Sequence, residues 1–236
     1  MVAGAVGDIK VTEVNYDQYS HAIKDIVQDV FYDEFGYCSG RYQGDKFDKY
    51  SGHIVALDDY NVVGYIRAIK PNPLGFPGLE IVEPTNPLDL DECVEFSRLI
   101  IRKEYRDQPN RVAFHLWLEA LKYTGVNGLY NIIVDTFIKN EMYDFYRAIG
   151  FEECSRVYND TRFLVDGFSV LMSLNVPELT KRFLIHQQIY QNIGLDDQWI
   201  SDYLGKYERR RREAVLAESS RSTENLPDAI ISGTSH

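Results

Sequence analysis

Residues 92–103 place ionisable side chains inside an apolar stretch that is typical of a buried strand. Glu95, Ser97 and Arg98 interrupt this stretch. A carboxylate or a guanidinium in a buried strand is costly unless it has a partner or a chemical task. A carboxylate can take a proton from an amine, and a guanidinium can hold a second carboxylate through two hydrogen bonds. The segment therefore contains candidates for proton transfer and for anion binding, or a structural ion pair.

The elements around this segment alternate along the chain. Hydrophobic periodicity predicts helices at 17–34, 110–124 and 139–149. It predicts further strands at 9–14, 53–57, 62–69, 129–137, 151–158 and 162–175. A proline-rich loop at 71–90 separates the third of these strands from the charged one. Such an order is typical of an α/β (α+β) protein in which a mixed central sheet has helices on both faces.

The length of 236 residues suits one main domain with an appendage. We expect the domain at 1–195, extra helices in a C-terminal extension at 196–217, and a disordered tail at 218–236. The tail is rich in Ser, Thr, Gly and acidic residues, which bury too little apolar surface to fold.

Composition excludes several classes of protein. The formal charge of −11 argues against a general affinity for nucleic acid. No apolar run is long enough to span a bilayer, and no secretory signal is evident. The 3 cysteines lie far apart and fit neither a disulfide framework nor a metal site. We therefore expect a cytoplasmic protein with reduced thiols and no bound metal.

Several motifs resemble the GNAT superfamily of N-acyltransferases. The segment 145–151, Phe-Tyr-Arg-Ala-Ile-Gly-Phe, carries a Tyr-x-x-x-Gly-Phe pattern that is frequent there. Further motifs look like the core of the acyl-homoserine-lactone synthases and of the long-chain N-acyl amino acid synthases. They are Phe31, Gly36–Tyr37, Asp45–Asp48, Gly64–Arg67 and Glu95–Arg98. The resemblance covers residues 20–152. It implies the GNAT fold and a fatty acyl chain taken from acyl carrier protein.

Two departures concern the acceptor. The lactone synthases carry an arginine where this chain has Val27 or Gln28, and a tryptophan where it has Tyr37. Both belong to the half of the site that handles adenosylmethionine. The resemblance therefore implies direct attack by the α-amine of a free amino acid. A lactone synthase that uses S-adenosylmethionine remains the alternative, as does a non-catalytic GNAT-like binding module.

A third departure concerns the donor. Acetyl-CoA enzymes of the superfamily bind pyrophosphate on a glycine-rich loop, and residues 102–111 contain no glycine. Side-chain cations are therefore expected to meet the donor's phosphate and the acidic surface of a carrier protein. They are Arg102, Lys103, Arg106 and Arg111. The expected donor is acyl-phosphopantetheine on acyl carrier protein, or acyl-CoA, with no tightly bound cofactor. Ordinary charge scatter on a solvated surface is the alternative.

The resemblance gives the charged residues roles. Glu95 is the candidate general base; the alternative is a structural ion pair with Arg98 or Arg67. The two arginines are expected to hold the acceptor carboxylate. Alternatively, they pair with Asp45 and Asp48 and fix the loop at 38–51 over the site. Two acids without a third ligand are weak evidence for a metal site.

Other candidates have structural alternatives. Ser97 is expected to hydrogen-bond the acceptor or a neighbouring strand. Tyr146 stands where many GNAT enzymes have a tyrosine near the departing sulfur, or it packs the last helix. Four aromatic residues are expected to line an acyl tunnel or to belong to the core: Phe31, Phe96, Phe114 and Trp117. A basic run at 209–212 leaves peripheral membrane contact open, although no transmembrane segment is expected.

Overall fold

A computed structural model describes residues 9–36, 40–106, 112–162 and 167–177, together with Arg209, Arg212 and Glu213. The chain divides into two units, 1–196 and 197–236. The expected extension at 196–217 falls almost entirely outside the described residues, and the tail at 218–236 does so completely. Within the described part, no helix combines the length and apolar character that crossing a membrane requires.

The described residues of the first unit form eight strands and three α-helices. The strands are β1 (Lys10–Val14), β2 (Ser51–Asp58), β3 (Asn61–Ile69), β4 (Cys93–Ile101), β5 (Asn131–Phe137), β6 (Glu152–Glu153), β7 (Tyr158–Asn159) and β8 (Phe168–Asn175). The helices are α1 (Tyr16–Val27), which continues as a π-helix (Gln28–Glu34), α2 (Val112–Asn127) and α3 (Glu141–Ile149). The strands form one mixed sheet in the order β1-β2-β3-β4-β5-β8-β6, and β7 also pairs with β8.

The helices cover both faces of the sheet, as the sequence predicts. On one face, α1 and the π-helix pack on Val55, Tyr65 and Ile100. Tyr65 and Gly64 are neighbours in β3, so they face opposite sides. A Cβ at Gly64 would lie only 2.9 Å from Leu116 Cδ1, which places α2 close against the second face.

The loop at 71–90 covers the part of the α1 face that α1 leaves open. Its side chains Phe76 and Val82 join a buried apolar cluster with Ile69, Ile133 and Leu171 from the sheet. Burial of this apolar surface stabilises the loop against the sheet. The loop therefore forms a roof over the middle of β4.

Strands β4 and β5 pair in parallel over only four residues. Their register runs from Cys93 opposite Asn131 to Phe96 opposite Val134. Beyond this point β4 continues to Ile101 and pairs with β3, whereas β5 pairs with β8. The two central strands therefore separate and leave a gap in the sheet.

A β-bulge lies in β4 beside this gap. Tyr65 pairs with Ile100 and Arg67 with Ser97, so two residues of β4 oppose the single residue between them in β3. Arg98, in the bulge, has a left-handed φ of 58°. Bulges bend a strand and redirect its side chains.

Three local predictions from the sequence were wrong. The helix expected at 17–34 changes after Val27 to a π-helix, whose wider turns often mark functional sites. The strand expected at 151–158 consists of two-residue pieces, β6 and β7, and the strand expected at 162–175 begins at Phe168. Each of these two pieces pairs with β8 over only two residues. Tertiary pairing with β8 defines them.

Candidate active site

Two arginines and two acids form an ion network between the loop at 40–50 and the sheet. Arg67 Nη1 lies 2.8 Å from both carboxylate oxygens of Asp45 and 2.7 Å from Asp48 Oδ1. Arg98 Nη2 lies 2.6 Å from Asp45 Oδ2. The Arg67 side chain is only 3% exposed, so its charge is compensated almost wholly by protein groups. The network fixes the loop over the sheet, which agrees with the second of the two hypotheses for the arginines, pairing with Asp45 and Asp48.

The bulge explains how β4 serves this network with two consecutive residues. Arg67 Nε donates to Ser97 Oγ at 3.0 Å, while Arg98 reaches Asp45 from the next position. Successive side chains of a regular strand point to opposite faces. The left-handed backbone of Arg98 turns its side chain to the face that Ser97 already occupies.

Asp48 is the most heavily bonded carboxylate of the network. It accepts hydrogen bonds from Tyr16 Oη at 2.9 Å, Tyr42 Oη at 3.1 Å and the backbone N–H of Asp45 at 2.8 Å. A Cβ at Gly44 would lie 2.9 Å from Asp48 Oδ2, so the close approach of this loop requires glycine.

The charges around Asp48 favour its ionised form. Burial disfavours the carboxylate, but Arg67 and Arg98 outweigh burial and hold the pKa of Asp48 below its usual range. His53 lies behind it: His53 Nε2–H donates to the Asp48 carbonyl at 2.9 Å, and His53 Nδ1 accepts from Tyr65 Oη at 2.8 Å. Burial lowers the pKa of His53, so the imidazole is neutral.

Glu95 has a different environment from the network. It is 2% exposed, and Glu95 Oε2 accepts a hydrogen bond of 3.0 Å from the backbone N–H of Gly78 in the roof loop. No described residue forms an ion pair with it, because Arg67 and Arg98 are both directed at Asp45 and Asp48. The structural pairing of Glu95 with an arginine is therefore absent from the described part of the chain.

Burial consequently dominates the proton affinity of Glu95. Desolvation raises the pKa of its carboxyl to about 7, against the weaker effects of the Gly78 N–H and Arg67. A carboxyl with this pKa exchanges its proton readily near neutral pH, which suits a general base. Glu95 also lies one residue before the point where β4 and β5 separate.

Aromatic side chains of α2 and α3 pack against one another. Phe145 makes edge contacts with Phe114 and Trp117, with centroid distances of 5.2 and 5.9 Å. Tyr146 packs on Phe151 at 5.0 Å. Trp117 is 1% exposed, and its indole N–H has no hydrogen-bond partner in the described structure. Burial raises the pKa of Tyr146 far above neutrality, so its hydroxyl keeps its proton.

The remaining candidates are spread over the fold. Phe96 is buried in β4, and Phe31 packs against the core beneath α1. Tyr37 and Arg111 lie outside the described residues. Arg102 pairs with Asp29 and Arg106 with Glu34, which ties both cations to the π-helix. Lys103 is exposed in the short turn that follows β4.

Sequence reasoning missed three contributors to this site. Gly78 gave no signal, because a hydrogen bond from a loop backbone to Glu95 leaves no pattern in the sequence. The bulge did leave one: Ser97 and Arg98 are adjacent polar residues in an apolar strand, which a regular alternation does not allow. Tyr16 and Tyr42, the partners of Asp48, are two of 17 tyrosines and were not distinguishable.

The Asp48 network makes a prediction for stability. Asp48→Asn should lower the free energy of unfolding at pH 7 by about 3 kcal/mol, since it leaves Arg67 buried with one acid instead of two. The pKa of Asp48 is lower in the folded state than its unfolded value of about 4, so its carboxylate stabilises the fold above that pH. This stabilisation is lost as the pH falls through the folded-state pKa. Urea unfolding at pH 7, 5 and 3 measures this.

The matched control is Glu119→Gln, which removes a half-exposed pair with Lys122 and should cost less than about 1 kcal/mol. The difference between wild type and Asp48→Asn should shrink at pH 3. A loss that is equal at all three pH values would show that Asp48 acts through packing rather than charge.

Comparison with known proteins agrees with this architecture. Residues 28–118 match the acetyltransferase (GNAT) domain model, a stretch that includes Asp45, Arg67 and Glu95. No curated protein sequence matches the chain.

Solved structures of similar shape include two kinds of synthase. MesI, a CoA-dependent acyl-homoserine lactone synthase, is 18% identical with a TM-score of 0.58, and the match covers 79% of this chain and 96% of MesI. FeeM, an N-acyl amino acid synthase from uncultured soil microbes, is 16% identical with a TM-score of 0.59, covering 76% and 97%. BjaI, a CoA-dependent acyl-homoserine lactone synthase solved with MTA, is 14% identical with a TM-score of 0.57, covering 80% and 90%.

Identities this low show a common fold and leave the substrates open. The chain therefore has the GNAT fold, residues 28–118 match the acetyltransferase (GNAT) domain model, and this match together with the synthase neighbours supports an acyltransferase.

Proposed function

We propose that this protein transfers a long fatty acyl chain from acyl carrier protein to the α-amine of an amino acid. The observation that carries the proposal is Glu95: a buried carboxyl with a pKa of about 7, without a cationic partner in the described structure, beside the gap between β4 and β5. The N-acyl amino acid synthase FeeM shares the fold.

Glu95 acts as the base in this proposal. The α-amine of an amino acid is mostly protonated at neutral pH and attacks a thioester only after losing a proton. Glu95 takes that proton, directly or through one water. The nitrogen then attacks the thioester carbonyl carbon and the C–S bond breaks. Tyr146, protonated at neutral pH, is the proposed donor to the departing sulfur and takes back the second proton that the nitrogen loses, so an amide and a free thiol are released.

The bulge offers stabilisation for the developing oxyanion. A bulge leaves its extra residue out of the ladder, so the backbone N–H at Arg98 or Leu99 is the proposed hydrogen-bond donor. Such a donor is already oriented before the reaction begins. The aromatic side chains between α2 and α3, with Trp117 at the centre, provide apolar walls for the acyl chain.

Arg98 is the better candidate of the two arginines for the acceptor carboxylate. Its side chain is 15% exposed, against 3% for Arg67. Arg67 is committed to Asp45, Asp48 and Ser97 and acts as the support that holds Arg98 and the loop in place. In this proposal Ser97 accepts a hydrogen bond from Arg67 and does not contact the acceptor.

An acyl-homoserine-lactone synthase that uses an acyl-CoA donor is the second candidate. The observation in its favour is the likeness to MesI and BjaI, both CoA-dependent lactone synthases, at similar TM-scores. Val27 and Gln28 at the turn into the π-helix argue against it, because the lactone synthases that this sequence resembles carry an arginine there.

Product analysis separates these candidates. The full chain is incubated with palmitoyl-loaded acyl carrier protein or palmitoyl-CoA, each with a mixture of amino acids or with S-adenosylmethionine, and the products are identified by mass. We expect N-palmitoyl amino acids and faster turnover with the loaded carrier. Acyl-homoserine lactone as the main product would overturn the proposed acceptor, and no acylated product from any pair would favour a binding module.

Replacement of the base gives the second prediction for the reaction. Glu95→Gln should lower kcat by about 10²–10⁴-fold, because the amide cannot accept the amine's proton, while its oxygen still accepts from Gly78. Wild-type kcat/KM should rise with pH through about 7, as Glu95 loses its proton.

Stability provides the control for this variant. The pKa of Glu95 is higher in the folded state than the unfolded value of about 4.3, so this carboxyl lowers stability as the pH rises above that value, in full above pH 7. Glu95→Gln should therefore melt at the same or a higher temperature at pH 8. The exposed Glu83→Gln should change neither activity nor melting temperature. Full activity in Glu95→Gln would exclude Glu95 as the base.

The carrier surface is tested most cleanly at Lys103. Arg102 and Arg106 are paired with the π-helix, so their reversal would also break structural contacts. Lys103→Glu should raise the KM for loaded carrier by roughly 3–10-fold at low salt, with a smaller effect at high salt, because an acidic partner is then repelled. Lys10→Glu, on the exposed edge strand β1, is the control. Unchanged KM values at low salt would remove this surface from the carrier interface.

A further inference from the structure

A second polar network lies close to Glu95, and the reaction proposed above does not use it. We call it the Asp135 cluster; its members are Asp135, Tyr158, Asp160 and Arg162. Tyr158 Oη donates to Asp135 Oδ1 at 2.6 Å, and Arg162 Nη2 donates to Asp135 Oδ2. Arg162 also donates from Nε to Asp160 Oδ1 at 2.8 Å, and Asp160 is 2% exposed.

The cluster is rigidly held although it joins separate elements. Asp135 is on β5, Tyr158 on β7, and Asp160 and Arg162 follow β7. Asp160 also accepts from the backbone N–H of Arg162 at 3.0 Å, which fixes the turn that carries the guanidinium. Burial raises the pKa of the Asp135 carboxyl, whereas Arg162 and Tyr158, each bonded to one of its oxygens, favour the ionised form and fix its position.

That position is on the same face of the sheet as Glu95. Glu95 is in register with Ile133 of the parallel strand β5, and Asp135 lies two residues further along. Residues two apart in a strand share a face. With a rise of about 3.3 Å per residue and a strand spacing of about 4.8 Å, the Cα atoms of Glu95 and Asp135 lie roughly 8 Å apart. The gap between the strands opens between these two positions.

Three charged groups act on Glu95 from the elements around it. Arg67 approaches from β3, Asp135 from β5 and Arg162 from the turn after β7, while the roof loop contributes the N–H of Gly78. Asp135 favours the protonated form of Glu95, and both arginines favour the carboxylate. Asp135 is thus the one acid among these groups, and it raises the pKa of Glu95 in the same direction as burial does.

We propose that Asp135 is a positioning residue for the reaction: through its charge, opposed by Arg162, it keeps Glu95 basic enough to take the proton of the acceptor amine. The inference rests on the proposed role of Glu95 as the base. A nearby carboxylate raises the proton affinity of a buried carboxyl group, and a nearby guanidinium lowers it. The fixed pair of Asp135 and Arg162 therefore adjusts, from a neighbouring strand, the basicity that burial gives Glu95.

Opposite charge changes in this pair test the proposal. The lower limb of the pH dependence of kcat/KM, near pH 7 in the wild type, is measured in each variant. Asp135→Asn should move this limb down by roughly one pH unit, because Glu95 loses the repulsion that holds its proton. Arg162→Gln should move it up. A purely structural role would lower the rate in both variants without moving the limb in opposite directions.

Three further variants make the outcome decisive. Arg162→Gln removes the cation that pairs with Asp135 and Asp160. If this single variant does not fold, the double variant Asp135→Asn/Arg162→Gln, which removes the charges of both residues, replaces it. Its limb should shift down less than that of Asp135→Asn alone. Tyr158→Phe keeps the charges and should shift the limb less than either single charge change. Asp59→Asn removes an exposed carboxylate in the turn between β2 and β3, at a φ of 53° that asparagine tolerates, and should shift nothing.

Failure of this inference differs from failure of the proposed function. A lower limb that persists in the residual activity of Glu95→Gln would show that Glu95 is not the titrating base. A limb that vanishes in Glu95→Gln but stays within roughly 0.2 pH units in Asp135→Asn would retain the base and overturn the role of Asp135.

Discussion

The pairing of Arg67 and Arg98 with Asp45 and Asp48 is the interaction on which the site depends. Two buried or half-buried guanidinium groups need compensation, and the loop at 40–50 supplies it with two carboxylates. Because both cations are thus compensated, Glu95 remains without a strong cationic partner in the described structure. Burial then governs its proton affinity. The network stabilises the loop and, by the same contacts, leaves a carboxyl whose chemistry suits neutral pH.

Strand β4 makes this separation of charges possible. Its first half pairs with β5 and presents Glu95 beneath the roof loop, and its second half turns away toward β3. The bulge at the junction brings Ser97 and Arg98 to one face, where Arg67 and Asp45 meet them. A regular strand would send Arg98 to the side of α2, away from the acids that compensate it. One irregularity therefore supports the ion network, the gap between the strands and the proposed oxyanion donor.

Much of the fold could be predicted from the sequence because its signals are local. The strands at 53–57 and 62–69 and the helix at 139–149 followed from periodicity, and the structure contains them with shifts of a few residues at their ends. The pairing of Arg67 and Arg98 with Asp45 and Asp48 was one of the two alternatives that the sequence left open, since buried charges require partners.

What the sequence left open was decided by tertiary contacts. It offered Glu95 two roles, and only the structure showed that the arginines are directed elsewhere. Gly78 and Asp135 act on Glu95 from a loop and a strand that are distant in sequence, so no spacing indicated them. The π-helix was equally hidden, because the apolar spacing at 17–34 fits an α-helix well.

Direct titration of the Glu95 carboxyl tests the central claim. The chain is labelled with ¹³C at the glutamate carboxyl carbons, and the Glu95 resonance is assigned by its absence from Glu95→Gln. The account predicts that this resonance titrates with a midpoint at about pH 7, apart from the exposed glutamates. A midpoint near the ordinary glutamate value of about 4.3 would contradict it, because Glu95 would then be solvated or paired with a cation.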